Sequence, residues 1–541
     1  MKKQGFSVEF KDDQFVYEFH HDNKFYMDVV HIENDDYTCC IDGPILNSSE
    51  LLSCDNLHSI KDYVIENIED ELFWSKLRGK FCGFVFYKKE RKAVFFTDHL
   101  AQRRLFYQKV DNRILISTDL KFISDNQNTF LLDNESIKQY LIWGFMLENN
   151  TLIKDISRCR VGEYIKVSNN NLSVNKFFDI EEESFTDLSE SDILSKLDLL
   201  FKNAIKRQFD KDIEYGYRHF GNLSGGLDSR MTIGIAHKLG YKDITVNTFA
   251  SRFSGDASIS FDIAEKLNLK QIFFPLVGNN IYNMHDCAKL NQGLALSIGA
   301  SHSLSSLDMI NIDKFGLVHT GQIGDAVLGG AFIKKPYHEK AYNHTDGAYN
   351  GESSLNMKSN YSNLESYLMS TRALQGALNG DWMTEKYTYG ISPFLDFDFF
   401  MFTRKIHPKY KYKHKLYFKW LISYYPELAS FKYESLMARI SKYSFINRIN
   451  FYKKIAIFKF RQIVFKKSQN MNPYNMWLNN NKDLKNYYTV RLDEAYGALT
   501  KLFQNEECLK IINRTYKSQD IVKQSILIGL YDSIIFLKLK K

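Results

Sequence analysis

The spacing of hydrophobic residues changes along the chain and divides it into three regions. Up to about residue 180, short runs such as FCGFVFYKK, KAVFFTD and RILISTD alternate apolar with polar positions, and Asp, Asn and Gly separate them. A period of two is typical of strands in antiparallel sheets. We therefore predict an α+β, layered antiparallel domain over residues 1–182, with a helix in LDNESIKQYLIWGF that is capped by Asn134 or Ser136.

Longer helical patterns alternate with strands from about residue 190 onward. This arrangement favours an α/β domain with a parallel sheet, which we place at residues 190–435. The acidic stretch DIEEESFTDLSESD precedes it and is predicted to be a linker. Residues 436–541 are aromatic and basic, with helical spacing, and are predicted to form a helical C-terminal extension.

The composition is that of an ordinary globular protein with a weakly basic charge. Of the 541 residues, 44% are hydrophobic and 25% charged, and the net charge of +7 allows an anionic partner without requiring one. Seven scattered cysteines without a C-x-x-C pair argue against a disulfide framework and a zinc ribbon. The start MKKQGFSVEF lacks the apolar run of a signal peptide, and no run approaches 18 uncharged apolar residues. We therefore expect a cytoplasmic protein.

The segment GNLSGGLDSR, residues 221–230, carries the strongest chemical signal. A strand pattern, YGYRHFGNL, leads into it, and Met231, Ile235 and Leu239 then recur every four residues, as on one face of a helix that ends at Gly240. The glycines thus lie in a strand-to-helix turn whose free backbone N–H groups point above the helix N-terminus. Such a turn binds phosphate; the alternative is a tight turn without a ligand.

The side chains of this turn refine the prediction. Ser224 and Ser229 add hydroxyl donors, whereas Asp228 would repel a bare phosphate and so implies a divalent cation. The string S-G-G-x-D-S resembles the pyrophosphate loop of the N-type ATP pyrophosphatases, which share an adenine nucleotide α-hydrolase-like fold and break the α–β bond of ATP. The resemblance implies ATP and Mg2+ as cofactors. The ATP-binding residues that it implies are Leu223, Ser224, Gly225, Gly226, Asp228 and Ser229.

Three later segments resemble asparagine synthetases and β-lactam synthetases. They are TGQIGDAVLGG (320–330), PFLDFDFFMFTRKIHPKY (393–410) and KLYFKWLISYYPELASFKYE (415–434). The resemblance implies that Asp325 joins Asp228 as a magnesium ligand, and that Gly321 lies near the nucleotide. It further implies that Lys432 neutralises the charge developed in adenylation and amide formation, and that Phe249 offers its backbone to adenine.

The first of these segments also departs from the family. Gln322 is a catalytic candidate that stands where asparagine synthetases have Glu and β-lactam synthetases have Tyr, and Gln takes no proton at neutral pH. Either the amine arrives deprotonated, or another base serves, or Gln322 only positions the substrate carboxylate. Ile323 replaces a glycine and Ala326 a glutamate, so aspartate is not assumed to be the substrate.

The N-terminal region resembles the glutaminase domain of the same family, which is of the N-terminal-nucleophile (Ntn) type. The match includes GKFCGFVFYKKERKAVFFTDHLAQRRLFY (79–107). That chemistry needs a cysteine at position 2, where this chain has Lys2, and oxyanion donors from Asn-Gly-Glu, which appear here as Asp42-Gly43-Pro44. We therefore predict a degenerate amidotransferase domain that does not hydrolyse glutamine. The alternative is that Cys39 or Cys40 substitutes as nucleophile.

These features together predict an ATP-dependent, AMP- and pyrophosphate-forming carbon–nitrogen ligase. β-lactam synthetases and lasso-peptide cyclases, which the chain resembles, have lost glutaminase activity in the same way. The acyl substrate would be a small-molecule, sugar-acid or peptide carboxylate, as in surface-polysaccharide or natural-product biosynthesis, and the nitrogen would come from ammonia or an amine. A non-catalytic scaffold and a tRNA-modifying enzyme are the alternatives, although no nucleic-acid partner is expected.

Residues 442–467, KYSFINRINFYKKIAIFKFRQIVFKK, hold many basic residues and no acid. Phe451, Ile455, Phe458 and Ile463 can share one face of a helix. One interpretation is a helix packed by these side chains, with solvated lysines outside. The others are peripheral contact with an anionic membrane at its inner face, and contact with a phosphate backbone.

Overall fold

A computed structural model describes residues 4–11, 14–21, 23–55, 57–127, 129–181, 184–340, 361–465, 468 and 470–538. The N-terminal region forms two antiparallel sheets. The first sheet has the order β2-β1-β8-β7-β9, and its strands are β1 (Gly5–Lys11), β2 (Gln14–His20), β7 (Phe106–Val110), β8 (Arg113–Ser117) and β9 (Ser157–Arg158). The second has the order β11-β10-β6-β5-β4-β3, and its strands are β3 (Val30–Glu33), β4 (Tyr37–Asp42), β5 (Cys82–Tyr87), β6 (Lys92–Thr97), β10 (Glu163–Ser168) and β11 (Asn171–Lys176).

The alternation seen in the sequence places one face of each sheet against the other. Phe6 and Val8 of the first sheet pack with Phe84 and Phe95 of the second in one buried cluster. The opposite face of the second sheet is covered by helices, with Trp74 stacked on Phe96. The predicted layered antiparallel arrangement is therefore confirmed for this region.

The C-terminal half contains a five-stranded sheet whose neighbouring strands all run parallel. Its order is β14-β13-β12-β15-β16, and its strands are β12 (Arg218–Asn222), β13 (Thr245–Ala250), β14 (Lys270–Pro275), β15 (Phe315–His319) and β16 (Gly390–Ile391). Since β12 is central, the glycine turn that follows it lies at the middle of the carboxyl edge of the sheet. This is the edge at which open α/β sheets bind ligands.

Helices cover this sheet and extend beyond it. In the N-terminal region they are α1 (Ser48–Asp55), α2 (Ile60–Asn67), α3 (Leu120–Asp125) and α4 (Asn134–Trp143). Around the parallel sheet they are α5 (Glu190–Glu214), α6 (Asp228–Lys238), α7 (Gly255–Lys266), α8 (Met284–Leu290), α9 (Ile298–Leu307), α10 (Gly324–Val327), α11 (Leu364–Leu368), α12 (Asn379–Thr384), α13 (Phe397–Arg404), α14 (Pro408–Lys411), α15 (Lys415–Tyr424) and α16 (Pro426–Ala429). The last ones are α17 (Ser444–Phe465), α18 (Tyr474–Asn480), α19 (Lys482–Leu502), α20 (Glu506–Tyr516) and α21 (Ile521–Lys538).

Two local predictions are corrected by the structure. The cap of α4 is neither Asn134 nor Ser136 but Asp133, whose carboxylate accepts hydrogen bonds from the N–H groups of Glu135 and Ser136. The packed-helix interpretation of the basic tail is also wrong for Phe451 and Ile455 of α17, which are 45% and 37% exposed, whereas Phe458 is half-buried. The side chain of Ile463 lies outside the described residues.

The helical end of the chain shares a core with the rest of the molecule. Side chains of α18 to α21 lie in the same buried cluster as those of α3, α4, α8 and α9. The Tyr140 hydroxyl of α4 donates to the carbonyl of Ala295, which helps to join the N-terminal region to this cluster. Among the described residues, no helix is long and apolar enough to cross a membrane.

Candidate functional site

The glycine turn between β12 and α6 is closed by its own hydroxyls. The Ser224 N–H donates to the Ser229 hydroxyl at 3.0 Å, and the Gly226 N–H donates to the Ser224 hydroxyl at 3.1 Å. The Leu223 carbonyl accepts from the Thr248 hydroxyl on β13, which fixes the start of the turn to the sheet. Backbone donors and small hydroxyls thus converge above the N-terminus of α6, as the sequence predicts for a phosphate-binding turn.

A further donor of this turn is held by an acid from a neighbouring helix. The Gly225 N–H donates to the Asp256 carboxylate at 3.1 Å. Asp256 does not cap α7, because the cap of this helix is Ser254, whose hydroxyl accepts from the Ala257 N–H. Asp256 therefore occupies one of the positions at which the turn offers a donor to an anion.

A second loop packs tightly against this turn and brings in another acid. A Cβ on Gly321 would lie 2.3 Å from the carbonyl carbon of Asp228, and one on Gly324 would lie 2.7 Å from the Asp228 carboxyl carbon. Only glycine allows these approaches. As a result, the Asp325 N–H donates to the Asp228 carboxylate at 3.0 Å, although the two residues are 97 positions apart.

The two carboxyl groups lie next to each other in a half-buried position. Burial, followed by the neighbouring Asp325 carboxylate, raises the pKa of Asp228 to about 8. Burial also raises the pKa of Asp325, while His414 acts in the opposite direction. Like charges in a poorly solvated site favour protonation unless a cation compensates them. This carboxylate pair therefore fits a divalent cation, which prefers oxygen ligands.

Tyr417 completes the surroundings of the pair and was not identified from the sequence. Its hydroxyl donates to Asp228 at 2.9 Å from α15, inside the segment whose family resemblance had drawn attention to Lys432. The Lys432 side chain itself is exposed. The contact of Lys432 with the turn region is made by its carbonyl, which accepts from Arg230 of α6. The catalytic role given to the Lys432 ammonium stays a prediction.

Backbone strain surrounds the carboxylate pair. Ile323, which stands where the family has glycine, adopts φ 59° and ψ 15°. Lys413 and His414 are also in the left-handed region, with φ of 55° and 59°. For a residue with a Cβ, and above all a β-branched one, this conformation costs roughly 1–2 kcal/mol. Such outliers gather at functional sites, where the surrounding fold holds them in place.

A cavity of about 250 Å3 opens beside this site. Phe249 and Asn222 line it from the ends of β13 and β12, and Gln322 lines it from the loop after β15. Within the described part of the chain, the Gln322 Oε1 and both carboxylate oxygens of Asp381 are buried without a hydrogen-bond partner. Buried polar atoms of this kind normally find partners, so the cavity has unused capacity for a polar ligand. Neither pattern nor motif had pointed to Asp381.

The rim of the turn carries an ion pair. The Glu434 N–H donates to the Gly225 carbonyl at 3.0 Å, and the Glu434 carboxylate pairs with the Lys454 ammonium of α17 at 2.8 Å. Burial and Glu434 raise the pKa of Asp256 to about 6, while the Gly225 N–H and Lys454 act in the opposite direction. Lys454, from the basic tail, is thus the ammonium that the structure brings to this rim.

Asp212, His219 and His319 form a separate buried group of ligand-type side chains. Both imidazoles lie within hydrogen-bond distance of one Asp212 carboxylate oxygen, at 2.9 and 2.7 Å. The other oxygen accepts from the Leu317 N–H. This arrangement fastens α5 to β12 and β15, and His319 Nδ1 is left buried without a hydrogen-bond partner among the described residues.

Neither of the two described cysteines proposed as a substitute nucleophile is a reactive thiol. Cys39 and Cys40 are both fully buried on β4, and burial raises the pKa of each thiol. A thiol with a raised pKa is a poor nucleophile. Asp42, which replaces the family asparagine, pairs with the Arg103 guanidinium at 2.8 Å. Lys2 lies outside the described residues.

Arg103 belongs to a buried charge network between the two regions. Its other guanidinium nitrogen lies 3.9 Å from Glu385, which also pairs with Arg104 at 2.6 Å and with Lys80 at 3.2 Å. Although burial acts in the opposite direction, these three cations lower the pKa of Glu385 to about 2. Burial raises the pKa of Asp381 to about 6, although Lys80 acts in the opposite direction. The network therefore lies between Asp42 and the cavity.

Comparison with known proteins gives the following matches. The family profile described as a glutamine amidotransferase domain matches residues 66–178. Asparagine synthetase [glutamine-hydrolyzing] 1 of Bacillus subtilis (strain 168) is 20% identical over 193 residues, which are 36% of this chain and 29% of the relative. The match thus spans less than a third of that relative's length. These findings confirm the resemblance to asparagine synthetase-like proteins that the motifs predicted.

Two solved structures are also similar in part. The glutamine phosphoribosylpyrophosphate amidotransferase from B. subtilis, complexed with ADP and GMP, aligns at 8% identity and a TM-score of 0.24, covering 51% of this chain and 85% of that one. A structure described as the allosteric regulatory enzyme of purine biosynthesis aligns at 7% identity and a TM-score of 0.23, covering 50% and 75% of the two chains.

Asp256 of α7, which accepts a hydrogen bond from the glycine turn, makes folding stability depend on pH. The pKa of Asp256 is about 6 in the folded chain and roughly 3.9 in an unfolded one. Because the pKa of Asp256 is higher in the folded chain, protonation of this carboxyl group stabilises the fold. This stabilisation is complete below about pH 4 and is lost as the pH rises through about 6. We expect Asp256→Asn, which keeps the acceptor for Gly225, to raise the free energy of unfolding by about 2 kcal/mol at pH 8.

Urea unfolding of wild type and Asp256→Asn at pH 5 and pH 8 measures this difference, which should shrink at the lower pH. Asp262→Asn, at an exposed acid of the same helix, is the matched control and should change little at either pH. An Asp256→Asn gain that is equal at both pH values would contradict the account.

Proposed function

We propose that this asparagine synthetase-like protein is an ATP-dependent ligase that adenylates a carboxylate and transfers the acyl group to ammonia or an amine, without hydrolysing glutamine. The observation that carries the proposal is the half-buried, hydrogen-bonded pair of Asp228 and Asp325 at the N-terminus of α6, beside a turn of backbone donors. An anion-binding turn alone would not need two neighbouring acids. A nucleotide phosphate with its cation accounts for both features.

The turn and the helix behind it supply the phosphate site. We assign residues 190–435 to the N-type ATP pyrophosphatase class, in which the S-G-G-x-D-S turn holds pyrophosphate. The N–H groups of Ser224, Gly225 and Gly226 exchange their present partners for phosphate oxygens, and the Ser229 hydroxyl joins them. Asp256 must leave the Gly225 N–H for this to happen, since its carboxylate would repel the phosphate.

Asp228 and Asp325 would hold Mg2+, whose positive charge, when bound, neutralises the phosphate oxygens and the leaving pyrophosphate. Tyr417 keeps Asp228 oriented by donating to it. In the first step, an oxygen of the substrate carboxylate attacks the α-phosphorus of ATP, and the bond to the β-phosphate breaks. The products of that step are an acyl-adenylate and pyrophosphate.

The cavity holds the parts of the reactants that are not phosphate. Phe249 and Asn222 line it from the ends of β13 and β12, and Gln322 lines it from the loop after β15. In the second step, the amine nitrogen attacks the acyl carbon, AMP leaves, and the nitrogen loses a proton. Gln322 cannot accept that proton, whereas Asp381 is a carboxylate of the same cavity with free acceptor capacity among the described residues. We therefore assign positioning to Gln322 and proton acceptance to Asp381.

The nitrogen enters as ammonia or as an amine, because the described part of the N-terminal region provides no competent glutaminase centre. The Asp42 carboxylate takes the place of an oxyanion donor and is held by Arg103, and Cys39 and Cys40 are buried thiols. Ammonia released beside Asp42 would also have to cross the network of Glu385 to reach the cavity. The proposed acyl substrates are small-molecule, sugar-acid or peptide carboxylates, handled on the cytoplasmic side of a membrane.

ATP–pyrophosphate exchange with Mg2+ over a panel of carboxylates tests the proposal. We expect exchange with one acid class among aspartate, uronic-acid sugars and peptides, and then amide formation when ammonium or an amine is added. Glutamine should not replace ammonium at equal concentration. Absence of nucleotide binding, measured by calorimetry with ATP and Mg2+, would overturn the ligase and leave a scaffold. Exchange that depends on tRNA would replace it with a tRNA-modifying enzyme.

A further inference from the structure

Helix α17 lies against the rim of the candidate site but packs through a narrow stripe. Its inward residues include Asn447, which is 8% exposed, Lys454, which pairs with Glu434, and Phe458, whose ring lies 5.0 Å from the Lys454 ammonium. The helix is 22 residues long, and most of its described side chains face solvent. A helix held by one stripe leaves most of its surface for another contact.

The outward face of α17 is apolar at its centre. Phe445, Ile449, Tyr452 and Phe460 are between 56% and 62% exposed. At 3.6 residues per turn these four side chains fall within an arc of about 80°. Single exposed apolar residues are ordinary on a protein surface, but a continuous stripe of four on one helix indicates an interaction site.

Basic residues flank this stripe, and acids are absent. Arg448 and Lys459 lie on one side of it and Lys453 on the other, all exposed. The sequence contains no Asp or Glu between Glu434 and Asp483. A second copy of the helix would bring like charges together, which disfavours self-association. A nucleic acid would contact the basic side chains only at the edges of this surface, because the apolar stripe occupies its centre.

We propose that the outward face of α17, residues 444–460, is a docking surface for an anionic lipid bilayer. The stripe then enters the headgroup–acyl boundary and the flanking cations meet lipid phosphates, as in helices that lie in the membrane interface. Each Lys or Arg near an anionic surface strengthens binding about fivefold, and this contribution falls with salt. Through Lys454 and Glu434, docking holds the rim of the glycine turn close to the bilayer. The proposal does not rest on the ligase activity.

Co-sedimentation of the full chain with vesicles tests this surface. We expect binding to phosphatidylcholine vesicles that contain about 30% phosphatidylglycerol, weak binding to pure phosphatidylcholine, and release in high salt. The pair Ile449→Ser and Phe460→Ser should lower the partition coefficient at least about tenfold, because two buried side chains are lost from the interface. Arg448→Glu with Lys459→Glu should lower it by a similar factor.

Matched variants separate docking from general effects. Met309→Ser with Val16→Ser removes two exposed apolar residues elsewhere, and Lys76→Glu with Lys89→Glu reverses two exposed charges elsewhere; both pairs should bind vesicles like wild type. Equal binding by the α17 variants and wild type would overturn the proposal, as would equal binding to neutral and anionic vesicles. Self-association that Ile449→Ser with Phe460→Ser abolishes would assign the face to a second copy. Oligonucleotide binding that needs Arg448 and Lys459 but not the stripe would assign it to nucleic acid.

Discussion

Replacing Asp228 with asparagine should lower the rate of ATP–pyrophosphate exchange by about 10³-fold. The substitution keeps the shape of the side chain and removes one of the two charges that would hold the cation. A charge at about 4 Å in an effective dielectric of about 20 is worth roughly 4 kcal/mol, and each 1.36 kcal/mol changes a rate about tenfold. Initial rates of exchange at saturating ATP and the preferred carboxylate measure the effect.

Two other variants define how specific this loss is. Tyr417→Phe removes the hydroxyl that orients Asp228 but leaves the charge, so we expect a decrease of only about tenfold. Asp262→Asn removes an exposed acid of α7 and should leave the rate unchanged. If Asp228→Asn kept exchange within a few-fold of wild type, the carboxylate pair would not be the metal site. Loss that is equal in Asp262→Asn would point to a general effect of net charge.

The secondary structure around the turn could be predicted because its signals are local. The four-residue spacing of Met231 and Ile235 matches α6, and Gly240 follows its end with φ of 99°. The cap of α4 was missed by one to three positions. Three residues in a row, Asp133, Asn134 and Glu135, precede Ser136, and the local sequence does not say which of several capping side chains the backbone will use.

Some contacts between distant segments could be predicted from a family motif, and others could not. Asp228 and Asp325 were paired in advance through a family resemblance, and the structure places them together. Asp256, Tyr417 and Asp381 come from different elements, and each is one polar residue without a periodic pattern. Their positions depend on how α7, α15 and α12 pack on the sheet, which the sequence of each helix alone does not determine.

The face of α17 shows a different limit. Apolar residues are distributed all around this helix, so periodicity supports more than one packed face. Phe451 and Ile455 share a face on a helical wheel, and yet they are exposed, whereas Asn447 and Lys454 face the protein. The ion pair between Lys454 and Glu434 helps to determine which side of the helix faces the protein. Because Glu434 lies outside the helix, the pattern of residues within the helix does not predict this contact.

Arg103→Met should be the most destabilising single substitution between the two regions, lowering the free energy of unfolding by about 3–5 kcal/mol. Arg103 and Asp42 are almost fully buried, at 5% and 1% exposure. Removing the guanidinium leaves the Asp42 carboxylate in a poorly solvated site without its cation, which is the costly case for a buried ion pair. The midpoint and slope of urea unfolding measure the loss.

A substitution of Asp42 tests whether the Asp42–Arg103 pair stabilises the fold or takes part in glutamine hydrolysis. Asp42→Asn in the Arg103→Met background removes the stranded charge, so the double variant should recover a large part of the loss while exchange activity stays at the wild-type level. Arg113→Met, which breaks a partly exposed pair with Glu9 and two hydrogen bonds to Asn126, should cost less than Arg103→Met. If Arg103→Met unfolded no more easily than Arg113→Met, the network would not join the regions. Glutamine hydrolysis that disappears in Asp42→Asn would mean that the N-terminal region still performs the reaction whose residues it has replaced.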